Sequence, residues 1–230
     1  PYTKRRFEMN NTRRNTIAAG ALYILSYIGV FAGAGLLEGM INSPDSLSFL
    51  ADNDTKVVVG VLLELLNGAA VLGIAAALYP VLNRWGAGMA MAYVGIRIVE
   101  AVSQVLVSMP VLSMLTLSKE YIGSGEGDRA LFELQEFFLH AQRSAGNTMI
   151  LVFFALGAVL FYALLYRSKL VPRWLSVWGL VGVVMVVLMN VLGMDLTVGW
   201  FFAMPIILNE LFLAGWLLIR GFDKKALAEG

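Results

Sequence analysis

The run Tyr93-Val94-Gly95-Ile96-Arg97-Ile98-Val99-Glu100-Ala101-Val102-Ser103-Gln104 sets an arginine and a glutamate one helical turn apart, inside a stretch long and apolar enough to cross a bilayer. A charge at the bilayer centre costs roughly 2.5–3.5 kcal/mol on insertion scales, so such residues are rare in spans and face companions inside a bundle. Outward from this run, apolar stretches of the ~20 residues needed for a helical crossing recur along the chain. They predict six spans, at 16–37, 56–79, 87–117, 144–166, 173–193 and 199–220. The expected fold class is therefore all-α, a polytopic membrane helix bundle with six transmembrane helices. Residues 1–15 form a basic cytoplasmic N-terminal segment, 16–220 the membrane domain and 221–230 a cytoplasmic tail.

Composition agrees. Of 230 residues, 59% are hydrophobic and only 14% charged, where soluble domains carry about 25% charged residues; the mean hydropathy is +0.75. Basic Lys4-Arg5-Arg6 and Arg13-Arg14 precede an apolar run over 17–37 that exceeds a signal-peptide core, so a retained first span is expected, with Met9 as the native start. Loop signals at Asn42-Ser43-Pro44-Asp45, Asn83-Arg84-Trp85-Gly86 and 123–128 separate the spans. Pro110 either kinks the third span or marks its outer end.

Orientation follows from the basic residues. With both termini inside, twelve lysines and arginines fall in the inner segments and four in the outer ones, Lys56, Lys119, Arg129 and Arg143. The loop acids show the opposite bias. A multi-pass protein of the cytoplasmic (inner) membrane with N and C termini cytoplasmic is the expectation. Small-residue pairs Gly29/Gly33 and Gly35/Gly39 on the first span read as helix-packing motifs.

Four ionisable residues lie deep in the spans: Glu64, Arg97, Glu100 and Glu210, with Asn67, Gln104 and Asn209 beside them. Depths counted at ~1.5 Å per residue place Arg97 and Glu210 level, with Glu100 and Asn67 slightly farther in and Glu64 about one turn beyond. The second, third and sixth spans are expected to meet there, Arg97 pairing with Glu210 and with Glu100. Three carboxylates against one guanidinium leave a deficit of positive charge, so at least one glutamate, Glu64 first, is expected to hold a proton. Three uses of this layer stand open: a polar lock on helix register, a site for a polar ligand or a proton-coupled solute, and an interface with another membrane subunit.

The segment 128–143 is amphipathic. Leu131, Leu134, Phe138 and Ala141 fall on one face, and Glu133, Glu136, His140 and Arg143 on the other. It is expected to lie at the outer interface or to extend the fourth helix outward, with Glu136 and His140 paired one turn apart. A pH-sensing or ligand-capturing lid is the functional alternative.

Several chemistries are excluded. No cysteine means no disulfide, thiolate ligand or cysteine nucleophile. A single histidine, His140, rules out bis-histidine haem ligation within one chain and clustered-histidine metal centres. Intramembrane serine proteolysis lacks its histidine base, and no phosphate-binding glycine loop is present. No catalytic residue, metal or cofactor is expected. With a net charge of +1 carried in short flanks, nucleic acid is not an expected partner either. The expected partners are the lipid bilayer and, as alternatives, other membrane subunits or a second copy of the chain.

Three motifs carry a resemblance: Arg97-Ile-Val-Glu100-Ala; the loop Tyr166-Arg-Ser-Lys-Leu-Val-Pro-Arg-Trp-Leu-Ser-Val-Trp-Gly179; and Asn209-Glu210-Leu-Phe-Leu-Ala-Gly-Trp-Leu-Leu-Ile-Arg-Gly-Phe222. Over 13–222 the chain resembles a prokaryotic six-helix membrane protein family labelled domain of unknown function 4386. The resemblance implies a bacterial or archaeal membrane protein and brings no established activity. The functional expectation is a non-enzymatic integral membrane protein that binds or translocates a small polar or cationic solute or protons. The alternatives are an accessory or structural subunit of a larger membrane complex, and a membrane sensor. A cavity reaching Glu64 and Glu100 would favour solute binding, whereas a layer with its polar atoms paired would count against it.

Overall fold

A computed structural model describes residues 2–43, 46–124, 129–193 and 196–229, with side chains described from residue 10 onward except at 124, 129–131 and 196–198. The described chain is all-helical: α1 (Tyr2–Ile41), α2 (Ser46–Asp52), α3 (Asp54–Leu82), α4 (Ala87–Ser124), α5 (Arg129–Ser168), α6 (Arg173–Val191), α7 (Leu196–Ile219) and α8 (Lys224–Glu229). Six of these, α1 and α3–α7, are long and apolar enough to cross a membrane. This is a multi-pass helical membrane fold.

Three boundaries resolve or add to the expectation. From residue 129 the amphipathic segment and the fourth span form one helix, α5, as the outward-extension reading has it. Pro110 lies inside α4, which runs on to Ser124, so it does not mark the end of that helix. The polar stretch before the second span holds the short helix α2, which buries Leu50 and Ser46. Pro44, Asp45 and 125–128, which belong to the loop signals, lie outside the described residues, and the side chain of Leu131 is likewise not described.

The chain divides into two compact units. The first comprises Pro1–Ile24, Ala70–Val99 and Leu151–Gly230, the second Leu25–Ala69 and Glu100–Ile150. In the first, close packing depends on glycines. A Cβ on Gly179 would stand 2.3 Å from the Tyr162 ring, and one on Gly182 2.9 Å from the Ile206 backbone. Tyr93 stacks on Phe161 at 5.4 Å within this core. Arg13, which reads in the sequence as one more basic flanking residue, reaches the end of α7. Its guanidinium donates to the carbonyls of Leu217 (2.8 Å), Leu218 (2.6 Å) and Ile219 (3.2 Å). Those carbonyls have no partner within the helix, and a cation there also meets the negative end of the helix dipole.

The second unit packs Leu37, Leu50, Val57, Val61, Val111, Met114, Phe132 and Leu139 into one core. Gly29 and Gly33 bring α1 against α3, where added Cβ atoms would meet the Leu63 carbonyl at 2.7 Å and the Glu64 nitrogen at 3.1 Å. Gly35 and Gly39 have open space around them. The two pairs look identical in sequence, yet only the first is a packing contact within the chain. Gly29→Ala is therefore expected to destabilise the protein in mixed-micelle unfolding. Gly35→Ala should be neutral or stabilise it by up to about 1 kcal/mol, the helix-propensity difference. Equal losses at both would contradict the packing described.

Candidate functional site

Helix α4 shows why the polar residues are where they are. Arg97, Glu100, Ser103, Gln104 and Ser108 are buried, while Val102 and Leu106 are 53% and 59% exposed. Polar side chains inward and apolar ones outward is the arrangement that hydrocarbon surroundings favour, because lipid offers no hydrogen bonds.

In the second unit these residues form a single hydrogen-bonded chain. Ser26 Oγ donates to Asn67 Oδ1 (2.6 Å), and Asn67 Nδ2 donates to Gln104 Oε1 (3.4 Å). Gln104 Nε2 donates to Ser108 Oγ (3.2 Å), and Ser108 Oγ donates to Glu64 Oε2 (2.6 Å). Every link points the same way, toward the carboxylate. Gly68 permits the α3–α4 approach, since a Cβ there would lie 3.3 Å from Gln104. From the opposite side comes Arg143. Its Nη2 lies 3.0 Å from Glu64 Oε1 and 2.7 Å from Glu38 Oε1, and its Nη1 donates to Glu64 Oε2 and the Val107 carbonyl, both at 3.5 Å. Glu64 and Arg143 are 5% and 6% exposed, and the Glu38 side chain is 47% exposed. The guanidinium thus bridges a buried carboxylate and a half-exposed one. Along α1 the assembly extends from Ser26 to Glu38, roughly 18 Å at the helical rise.

Arg143 is the main correction to the sequence reading. Its expected place on the water-facing side of an amphipathic segment is overturned, because it is buried in an ion pair with Glu64. Leu134 and Phe138, from the apolar face of that segment, are 51% and 54% exposed. With lipid outside, an apolar face is the one turned out. Arg143 also gives Glu64 a cation of its own, which the sequence count of three carboxylates against Arg97 alone did not include. Glu136 accepts a hydrogen bond from Ser46 rather than pairing with His140, and Glu133 and His140 are exposed. The sequence signal that could have found Arg143 was the charge deficit itself, which called for a second cation.

The first unit holds the remaining residues. Arg97 is buried with its guanidinium over the rings of Tyr93 (5.4 Å) and Phe154 (5.5 Å), a favourable placement for a desolvated cation. Gly157 makes room for it, as a Cβ there would lie 3.2 Å from Arg97 Nε. Glu210 is buried too, and both lie within electrostatic reach of the buried Tyr23 hydroxyl. Asn209, fully buried, accepts from the Tyr162 hydroxyl (2.6 Å) and donates to the Leu175 carbonyl (2.9 Å), tying α5, α6 and α7 together. The expected single layer is thus shared between units: Arg97, Asn209 and Glu210 belong to the first, and Glu64, Asn67, Glu100 and Gln104 to the second. Among the described residues no group of three or more histidine or acidic side chains could hold a metal ion.

Removing one member of a buried ion pair typically costs 3–5 kcal/mol, whereas replacing both with apolar groups is often neutral. Arg143→Met is expected to cost about 3–5 kcal/mol, Glu64→Met less because Glu38 still holds the guanidinium, and the double substitution less than the arginine change alone. Urea or SDS unfolding of the four proteins measures this. An Arg143→Met loss under ~1 kcal/mol would mean that Glu64 has no need of its cation.

Residues 18–221 match the model of a protein family described as Domain of unknown function (DUF4386). No curated protein and no solved structure matches the chain.

Proposed function

Because the chain belongs to the DUF4386 family, whose description assigns no activity, we propose from the site geometry that it is a non-catalytic membrane protein whose buried polar chain is a lock on helix register, suited to an accessory or structural subunit of a larger membrane assembly. The observation that carries this reading is the completeness of the pairing around Glu64. Both carboxylate oxygens receive donors, and Arg143 is shared between Glu64, Glu38 and a backbone carbonyl. A dipolar chain whose links all point at an anion polarises itself cooperatively, which suits a fixed arrangement. It suits a proton wire poorly. Asn67 and Gln104 are amides, with donors that have no proton to pass on under ordinary conditions.

A second reading rests on one further observation, the half-exposure of Glu38 beside Arg143. Here Arg143 is a resident cation on the Glu38–Glu64 pair, and an organic cation entering past Glu38 would compete for those oxygens. The sensor reading has less behind it, since Glu136 is engaged by Ser46 and His140 is exposed.

Two measurements test these readings. In proteoliposomes, the lock predicts no alkylammonium or proton flux above that of protein-free vesicles, with Glu64→Gln and Glu38→Gln leaving that baseline unchanged. A Glu38-dependent flux, or thermal stabilisation by methylammonium that sodium does not reproduce and Glu38→Gln abolishes, would replace the lock with the cation site. The topology proposed here, with both termini cytoplasmic, is open to labelling because the chain has no cysteine. In right-side-out vesicles a membrane-impermeant maleimide should modify Lys119→Cys and spare Lys225→Cys. The reverse pattern would invert the topology.

A further inference from the structure

The end of the first unit where α5 passes into α6, and α7 into α8, forms an open cavity of about 850 Å³. Its floor is apolar, with Leu170 and Phe222 buried. Its rim carries Lys169, Arg173, Arg220, Lys224 and Lys225 against one acid, Asp223. The concavity is built by the backbone. Lys169 and Gly221 turn with φ of 56° and 72°, and the Asp223 amide donates to the Leu170 carbonyl at 2.9 Å, pinning the tail across the α5–α6 turn. Asp223 itself is occupied, accepting from the amides of Lys225 and Ala226.

Five cations against one acid leave the rim with an excess of positive charge. Among the described residues none of them forms an ion pair. The two arginines are held instead over aromatic rings, Arg173 on Tyr166 at 4.9 Å and Arg220 on Trp216 at 4.6 Å. A ring face fixes a guanidinium without using up its N–H donors, so both stay available to an anion. The cavity also sits where apolar helix meets polar loop, at the start of one candidate span, Arg173–Val191, and the end of another, Gly199–Ile219. Next to the cations are exposed apolar groups, Trp174, Val177, Phe212 and Ile219, with Trp174 stacked on Trp178 at 6.2 Å. Cations around a hollow with an apolar wall beside it match a ligand that has a phosphate head and hydrocarbon tails.

We propose that this cavity is a binding site for the phosphate headgroup of an anionic membrane phospholipid, whose acyl chains lie along the exposed α6–α7 apolar face. Arg173 and Arg220 grip the phosphate oxygens, and Lys169, Lys224 and Lys225 supply the surrounding positive field.

Native mass spectrometry of the full chain, released from nanodiscs of phosphatidylcholine with a minor share of phosphatidylglycerol, tests this. The wild type should retain phosphatidylglycerol, and Arg173→Gln/Arg220→Gln should lower that retention at least tenfold. Arg84→Gln/Arg167→Gln removes the same charge from basic residues outside the cavity and should change retention less than twofold. Thermal unfolding in pure phosphatidylcholine, expected to be alike for all three proteins, shows that the variants fold. Equal loss in both double variants would reduce the effect to a general surface field and overturn the site. Displacement of the lipid by millimolar glycerol phosphate or inorganic phosphate would overturn the lipid assignment in favour of a soluble phosphate ester. No selective retention by the wild type would overturn both.

Discussion

A hydrocarbon environment supplies no hydrogen bonds, and in the second unit this constraint decides which way each helix is turned. Glu64 is buried, so a cation has to reach it. Arg143 does so from α5, and in doing so sets the rotation of that helix, with Phe137 and Phe138 turned outward. On α4 the same requirement turns Gln104 and Ser108 inward and leaves Val102, Leu106 and Met109 outside. The ion pair contributes little net stability for its burial. What it supplies is an angular choice, since any rotation of α5 by a third of a turn strands two charges.

The first unit meets the same constraint differently. Arg97 rests on two aromatic faces, and Asn209 spends its amide on a tyrosine and a backbone carbonyl. Glycines do the complementary work. Gly157 clears space for the Arg97 guanidinium and Gly179 for the Tyr162 ring, so these two large buried side chains each have a missing Cβ opposite them.

The six crossings were legible because length and apolar content alone decide them. Burial of Glu64, Arg97, Glu100, Gln104, Asn209 and Glu210 was legible for the same reason, as polar residues in the middle of a span have nowhere else to go. Arg143 was not. It stands at the edge of its apolar run, where a charge ordinarily faces water, and its partners Glu64 and Glu38 are 79 and 105 residues away. Nor was the difference between the Gly29/Gly33 and Gly35/Gly39 pairs, since spacing says that two helices can approach but not whether one is there. The short helix α2 escaped because its residues carry loop composition, and only the burial of Leu50 and Ser46 gives it a reason to be helical.

Arg13 and the carbonyls it caps are 204 to 206 residues apart. At ordinary synthesis rates of 5–20 residues per second, about 10–40 s pass between the making of one and the other. The second unit, contained within residues 25–150, is complete long before that. The first must hold its opening segment in waiting until the last crossing arrives, so a ribosome stalled short of α7 would leave the N-terminal arm without its anchor.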